Sequence, residues 1–447
     1  MPTRRRHLAR PTARSAAVTT ALGVALFLAG GLGLSPWTAT PGDGASRPAG
    51  DAAPAGDPLT ADITHRQDQL RRRPQDAQAL ATLGLDYVQQ AKNTADPTYY
   101  PKAEEVIRRA LEQKQPDDFT AMGAMAALDN ARHNFAQALD WAQRAVAANP
   151  YNSALYGTLA DALTQLGRYD EAARAVQRMV DLHPGTPSLS RASYVAELRG
   201  DTDTARQDMS RALQDATGPA DQAFTHYYLA ELATNSGDPA TALREAKAGL
   251  SADPGYTALL QAKAHAEAAT GDTATALTDL ITATQRVPQP EYVLQLGDLY
   301  QSLGRTRDAE QQYQLFRAEQ KLFTDNGVAL DSDAALFEAD HGSPDQAVTI
   351  AEAGMKSRPF LDTHDALAWA LHKDGRDHDA LAEADQSLAT GAQNALFHYH
   401  RAMIQAALGN TDAQRADLTA ALDINPHFHP LHAPEAKAAL ASLSGRR

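Results

Sequence analysis

Glycines recur along most of the chain at a nearly constant interval. They are Gly167, Gly200, Gly237, Gly271, Gly304, Gly342, Gly375 and Gly409. Prolines keep the same period, since the step from Pro150 to Pro184 matches the step between neighbouring glycines. A fixed period of this size, between about 20 and 50 residues, predicts a stacked array of small supersecondary units and excludes a single large core.

The residues around each glycine predict a helical hairpin. A glycine at the end of a helix adopts the left-handed conformation without steric cost. Gly237 is followed by Asp238 and Pro239, a helix cap and a first-turn proline. Each unit is therefore expected to consist of a helix, a tight turn, a second helix and a loop.

The spacing of small and aromatic residues within the units resembles the tetratricopeptide repeat (TPR). Residues 290–323 carry the pattern in Leu296, Gly297, Tyr300, Gly304, Ala309, Tyr313 and Phe316. Ten units begin near residues 77, 119, 153, 186, 223, 257, 290, 328, 361 and 395. The resemblance implies an all-α solenoid, a right-handed superhelix of about ten helix-turn-helix repeats behind an N-terminal hydrophobic helix.

The chain divides into four predicted segments. Residues 1–35 form a signal or anchor helix, and 36–75 form a flexible linker rich in Pro, Gly and Ala. Residues 76–426 form the TPR array, and 427–447 form a C-terminal capping helix.

The N-terminal segment predicts a membrane attachment. Five arginines precede an apolar run at residues 16–34, which is near the length that spans a bilayer. Basic residues before such a run favour a single-pass protein of the cytoplasmic membrane whose array lies outside, as in a bacterium. The alternative is an exported protein that is secreted after its signal peptide is cleaved.

Composition excludes several classes of function. The chain has no cysteine, which rules out disulfides and thiolate chemistry. With 41 basic and 55 acidic residues its net charge is −14, which disfavours nucleic acid as a partner. Phosphate-loop, dinucleotide-binding and nucleophile-elbow motifs do not occur, so we expect a non-enzymatic protein without a cofactor.

The resemblance places a peptide-binding groove on the first helices of the units. The residues at groove positions are acids and three aromatics: Asp161, Tyr194, Glu197, Tyr227, Glu231, Glu291, Asp298, Asp362, Asp365 and Trp369. Asp340 adds an acid, and Lys373 is the one base at these positions. This surplus predicts a groove that selects a basic peptide or partner protein. Alternatively, these are ordinary solvated carboxylates.

Histidines concentrate at the C-terminal end of the chain. Nine of the 15 lie between His341 and the C-terminus, and His427, His429 and His432 follow one another closely. Imidazole is a good ligand for Ni or Zn. The alternative function is therefore metal or small-ligand binding at this end, against the simpler interpretation of exposed loop and helix histidines.

Overall fold

A computed structural model describes residues 58–113, 118–330 and 332–444. Across these ranges the chain forms 22 helices and no strand. They are α1 (Pro58–Arg72), α2 (Ala77–Thr94), α3 (Tyr99–Glu112), α4 (Phe119–Ala131), α5 (Phe135–Ala148), α6 (Ser153–Gln165), α7 (Tyr169–Leu182), α8 (Thr186–Glu197), α9 (Thr202–Asp215), α10 (Pro219–Asn235), α11 (Pro239–Ala252), α12 (Thr257–Ala269), α13 (Thr273–Arg286), α14 (Pro290–Ser302), α15 (Thr306–Asp325), α16 (Ser332–His341), α17 (Pro344–Ser357), α18 (Leu361–Lys373), α19 (Asp377–Ser387), α20 (Ala395–Ala407), α21 (Thr411–Ile424) and α22 (His432–Ser444).

The predicted membrane segment at residues 16–34 lies outside the described residues. Among the helices from α1 to α22, none has both the length and the apolar character that crossing a membrane requires.

Ten helical hairpins, from α2–α3 to α20–α21, form the predicted solenoid. Their first helices start close to the ten predicted positions, which confirms the all-α repeat fold. Alanines fill the contact between the two helices of a hairpin; Ala160 and Ala172, for example, share one buried cluster. Larger side chains at such positions would overpack the interface.

Seven of the eight predicted turn glycines adopt a left-handed backbone; Gly200, with φ of 74°, is typical. Gly342 is the exception. There the Glu338 carboxylate accepts a hydrogen bond from the Ser343 backbone N–H (3.2 Å), so the side chain closes this turn. A Cβ added at Gly342 would overlap that carboxylate.

The prediction of a flexible linker over residues 36–75 is wrong for residues 58–72, which form α1. This helix packs on α2 and buries Leu59 and Ile63 in the first core cluster. Arg66 also forms a 2.5 Å ion pair with the nearly buried Asp86. The two apolar side chains lie one helical turn apart, so α1 covers the N-terminal end of the array.

The other end of the array is covered by α22, within the predicted C-terminal range 427–447. It packs on α21, and Ala436 and Leu443 join the core cluster of the last units.

The solenoid winds tightly enough for its successive turns to touch. Gln289 donates to the Lys92 carbonyl (3.0 Å), and Asn425 donates to the Thr234 carbonyl (2.8 Å). A third contact lies between these two along the array: the Leu361 backbone N–H donates to the Tyr169 hydroxyl (3.1 Å).

These contacts join groups that lie between 191 and 197 positions apart in the sequence. The first helices of units one and ten begin at Ala77 and Ala395. With a repeat of about 35 residues, one superhelical turn therefore takes about five and a half units.

The contacts follow one rule: the glycine turn of a unit packs on the loop that follows the unit five positions later. Gly167 lies against the Pro359 carbonyl, Gly200 against the Gly391 carbonyl, and Gly237 against the backbone at Asn425. Within the part of the chain that the structure describes, no further superhelical turn lies beside the turns in the second half of the array. A Cβ at Gly271, Gly304, Gly375 or Gly409 would accordingly meet no atom within 4 Å.

Candidate functional site

A cavity of about 580 Å³ lies inside the coil. The first helices of units four to ten line it, because these helices face the concave side of the solenoid, and residues 425–437 close part of it. The tight winding has thus converted the C-terminal half of the expected open groove into a partly enclosed chamber. Its volume is within the range of small-molecule pockets, about 300–1,000 Å³.

The lining is acidic and rich in histidine. It contains seven carboxylates, six histidines and one lysine: Glu197, Glu231, Glu291, Asp298, Asp333, Asp340, Asp362, His265, His341, His400, His427, His429, His432 and Lys437. Apolar side chains such as Leu294, Leu336 and Phe337 separate the polar groups.

One part of the wall holds carboxylates whose negative charge is poorly compensated. Burial, with a smaller contribution from Glu197, raises the pKa of Glu231 to about 8. Burial and nearby Asp362 raise the pKa of Glu197 to about 7, although a hydrogen bond from Asn235 opposes the shift. These glutamates therefore gain and lose protons near neutral pH, and a bound cation would favour their ionised forms.

The other part of the wall holds carboxylates paired with histidines. Asp298 accepts from the Tyr313 hydroxyl (2.8 Å) and lies 3.0 Å from His341 Nε2 and 3.4 Å from His429 Nε2. Burial alone would raise the pKa of Asp298, but the two histidines outweigh it and lower the pKa to about 2. This aspartate is ionised at all physiological pH values.

Asp340 lies at the centre of a second group of hydrogen-bonded side chains. It accepts from Trp369 Nε1 (2.9 Å), and its other oxygen lies 3.2 Å from His432 Nε2. Burial lowers the pKa of His432, but hydrogen bonds with Asp340 and Glu435 outweigh it and leave the pKa raised. His432 thus ties the C-terminal segment to the inner wall of the coil.

The predicted metal site at His427, His429 and His432 is not assembled. His429 and His432 lie against different aspartates, whereas His427 is exposed. Partial loss of solvent around its ring, together with Lys437, lowers the pKa of His427. Throughout the described ranges, no group of three or more His, Cys, Asp or Glu side chains has the arrangement that holds a metal ion. The aspartate partners lie far away in the sequence, 92 positions for His432 and Asp340, so local spacing could not have identified them.

Six of the ten predicted groove residues line the cavity: Tyr194, Glu197, Glu231, Glu291, Asp298 and Asp362. The other four, Asp161, Tyr227, Asp365 and Trp369, are buried in packing instead. Asp161 forms a bidentate pair with Arg191 at 2.9 Å, and both side chains are 1% exposed. Asp365 is 2.9 Å from His400 Nδ1, and Tyr227 packs among the aromatic side chains of α10. Trp369 stacks on His400 with ring centroids 4.2 Å apart.

Sequence reasoning missed several lining residues. Gln261 and His265 lie on α12, and Asp333 lies in the first turn of α16. Burial lowers the pKa of His265 to about 4, so this imidazole is neutral at physiological pH. The available signal was positional, because all three occur on first helices, where the groove was expected.

Comparison with known proteins gives the family of the repeats. Models of the tetratricopeptide repeat match residues 128–193 and 395–428, and no curated protein matches the chain. The crystal structure of the APC/C hetero-tetramer Cut9-Hcn1 is 15% identical over 86% of this chain and 81% of that one, with a TM-score of 0.42. A tetratricopeptide repeat protein from Parabacteroides merdae is 19% identical over 58% and 98%, with a TM-score of 0.34. MamA protein is 16% identical over 38% and 93%, with a TM-score of 0.30. The matched stretches are therefore tetratricopeptide repeats, and the ten helical hairpins share the helix-turn-helix architecture of that repeat.

Proposed function

We propose that this protein is a non-enzymatic scaffold that binds a basic segment of a partner protein on the acidic inner surface of its coil. The tetratricopeptide repeat is a scaffold of protein–protein interactions, and its repeats stack into extended concave binding surfaces. The observation that carries the proposal is the charge of the lining, seven carboxylates against one lysine.

The size and the charge of the chamber together favour an extended, basic segment over a folded partner. The chamber is too small for a folded domain, so a partner would insert a tail or loop. Low-dielectric walls of one sign focus the field and attract the opposite charge, and added salt screens this attraction.

A labelled lysine-rich peptide tests the proposal by fluorescence anisotropy. We expect binding that weakens with salt and is lost when glutamate replaces the lysines. A double variant, Glu291→Gln with Asp362→Asn, should weaken binding about tenfold or more, or about 1.4 kcal/mol. Glu105→Gln with Asp181→Asn removes two exposed acids outside the cavity and is the matched control. Equal affinities for the two double variants would refute the proposal.

We further propose that the array is displayed outside the cytoplasmic membrane, held by residues 16–34. The basic residues before that apolar run support this orientation. A reporter fused after residue 57 should be active on the outer side, and cytoplasmic activity would contradict it. Release of the fusion into the medium would favour the cleaved, secreted alternative.

A further inference from the structure

Three residues that line the cavity each carry a buried atom that can accept a hydrogen bond and has no partner among the described protein groups, besides the unpartnered hydroxyl of Thr234 in the same wall. The first is Gln261 Oε1, on a side chain that is 1% exposed. Its amide nitrogen is already engaged, since it donates to Gln295 Oε1 (3.2 Å) and Glu291 Oε1 (3.5 Å). These bonds fix the amide with its oxygen as the group that needs a donor.

The second atom is His400 Nε2. The other ring nitrogen, Nδ1, lies 2.9 Å and 3.0 Å from the two oxygens of Asp365. A carboxylate only accepts, so Nδ1 carries the proton of the neutral ring and Nε2 presents a lone pair. Burial lowers the pKa of His400 and so favours this neutral form. The side chain is 1% exposed.

The third atom is Glu231 Oε1, on a carboxylate that is 8% exposed. Two amide nitrogens of the same cavity wall are used elsewhere. Asn235 Nδ2 donates to Glu197 (3.1 Å), and Asn425 Nδ2 donates to the Thr234 carbonyl (2.8 Å). A buried acceptor without a donor is unfavourable, so a ligand that supplies donors here would be bound more tightly.

We propose that the cavity binds a free linear polyamine, an aliphatic chain that carries two or more protonated amines. Its ammonium groups offer only donors and positive charge, which match the unpartnered acceptors and the carboxylates. Its methylene groups fit the apolar side chains between them, such as Leu294 and Leu336. This inference goes beyond the proposed scaffold function, because it concerns a small molecule inside the chamber.

Other occupants match the wall less well. Each lysine side chain of an inserted peptide segment brings one ammonium group on its own stem, whereas a polyamine carries several on one chain. A compact metal ion requires converging ligands, and the described residues contain no such group. The cavity volume of about 580 Å³ suits a molecule of polyamine size.

Proton release gives the proposal an independent signature. Glu197 is the charged group that acts on Glu231, and Tyr227, Tyr228 and Tyr292 lie within the influence of its charge. Lys437 is the one lysine of the lining. With pKa values of about 8 and about 7, Glu231 and Glu197 together hold about one proton at pH 7.5. A bound polyammonium ion favours the ionised form of both glutamates, so this proton should be released to the buffer.

Isothermal titration calorimetry of the full-length chain with spermidine tests the proposal. We expect saturable binding at pH 7.5 and release of about one proton, measured in two buffers of different ionisation enthalpy. Glu231→Gln should weaken binding at least tenfold and reduce the proton release. Glu105→Gln, an exposed acid outside the cavity, should change neither. Circular dichroism checks that the variants are folded, and Gln261→Leu provides a second, uncharged perturbation that should also weaken binding.

Several results would overturn the proposal. One is an affinity for spermidine that is no higher than the affinity for magnesium ions, compared at the same total concentration of positive charge. Another is a Glu231→Gln variant that binds spermidine as tightly as the wild type does. Binding of the lysine-rich peptide without binding of spermidine would reject the polyamine and leave the scaffold function standing. Binding of spermidine without the peptide would support the polyamine and reject the basic segment.

Discussion

Contact between successive superhelical turns can be tested by adding a single methyl group. Gly200 and Gly304 both close the turn of a helical hairpin, with φ of 74° and 72°. A Cβ at Gly200 would overlap the Gly391 carbonyl oxygen and lie 3.1 Å from its carbon, whereas a Cβ at Gly304 would meet nothing within 4 Å. The two alanine variants therefore differ in the neighbouring turn and not in backbone conformation.

The expected losses follow from these two situations. A left-handed alanine costs about 1–2 kcal/mol, which is the whole effect expected for Gly304→Ala. Gly200→Ala adds an overpacked contact, worth about 1–3 kcal/mol more. In total, Gly200→Ala should lower the free energy of unfolding by about 2–5 kcal/mol.

Urea unfolding followed by circular dichroism measures both variants, and small-angle X-ray scattering reports whether the coil opens. We expect the lower midpoint and a larger radius of gyration for Gly200→Ala. Gly167→Ala, which would meet the Pro359 carbonyl, should behave in the same way. If Gly200→Ala and Gly304→Ala had equal midpoints and equal radii, the turns would not touch in solution and the enclosed cavity would not exist.

Three further predictions concern single contacts. Arg191→Met leaves the buried Asp161 without its ion-pair partner and should lower the free energy of unfolding by about 3–5 kcal/mol. Arg144→Met breaks an exposed pair and should lower it by less than about 1 kcal/mol. Equal urea midpoints for the two variants would contradict the buried pair. Because the folded pKa of His432 is raised, its contribution to stability is full below its unfolded pKa and is lost as pH rises through the folded value. Asp340→Asn should therefore flatten the decline in stability as the pH rises above the ordinary pKa of imidazole, and an unchanged slope would refute this. Ile63→Ala should lower the stability by about 2 kcal/mol if α1 packs on the array, and an unchanged melting temperature would show that it does not.

The repeat could be predicted because its signals are local. A left-handed glycine, a capping aspartate and a proline act within a few residues of their positions, so the hairpin containing Gly237, Asp238 and Pro239 is evident from the sequence. The helix α1 was missed because a polar, Pro-rich segment precedes it and its apolar face is sparse, with Leu59, Ile63 and the partly buried Leu70.

The winding could not be predicted because it depends on small rotations that accumulate over ten interfaces. Without knowledge of this winding, the pairing of Asp298 with the distant His429 cannot be inferred from the sequence. The C-terminal histidines then resemble metal ligands. Arg191 was overlooked for a related reason. Pro187 and Ser190 make the first helix of its unit a weak match to the repeat, and only the fold brings Arg191 to Asp161.

The rule that joins each glycine turn to a loop five units later also limits how this protein can evolve. An open solenoid tolerates the gain or loss of a repeat, because each unit contacts only its neighbours. Here the deletion of one unit between Gly200 and Gly391 would place Gly200 beside a different loop and disrupt every contact between superhelical turns that spans the deleted unit. The number of repeats is therefore fixed by geometry, and diversification should proceed by substitution in the lining and not by duplication of units.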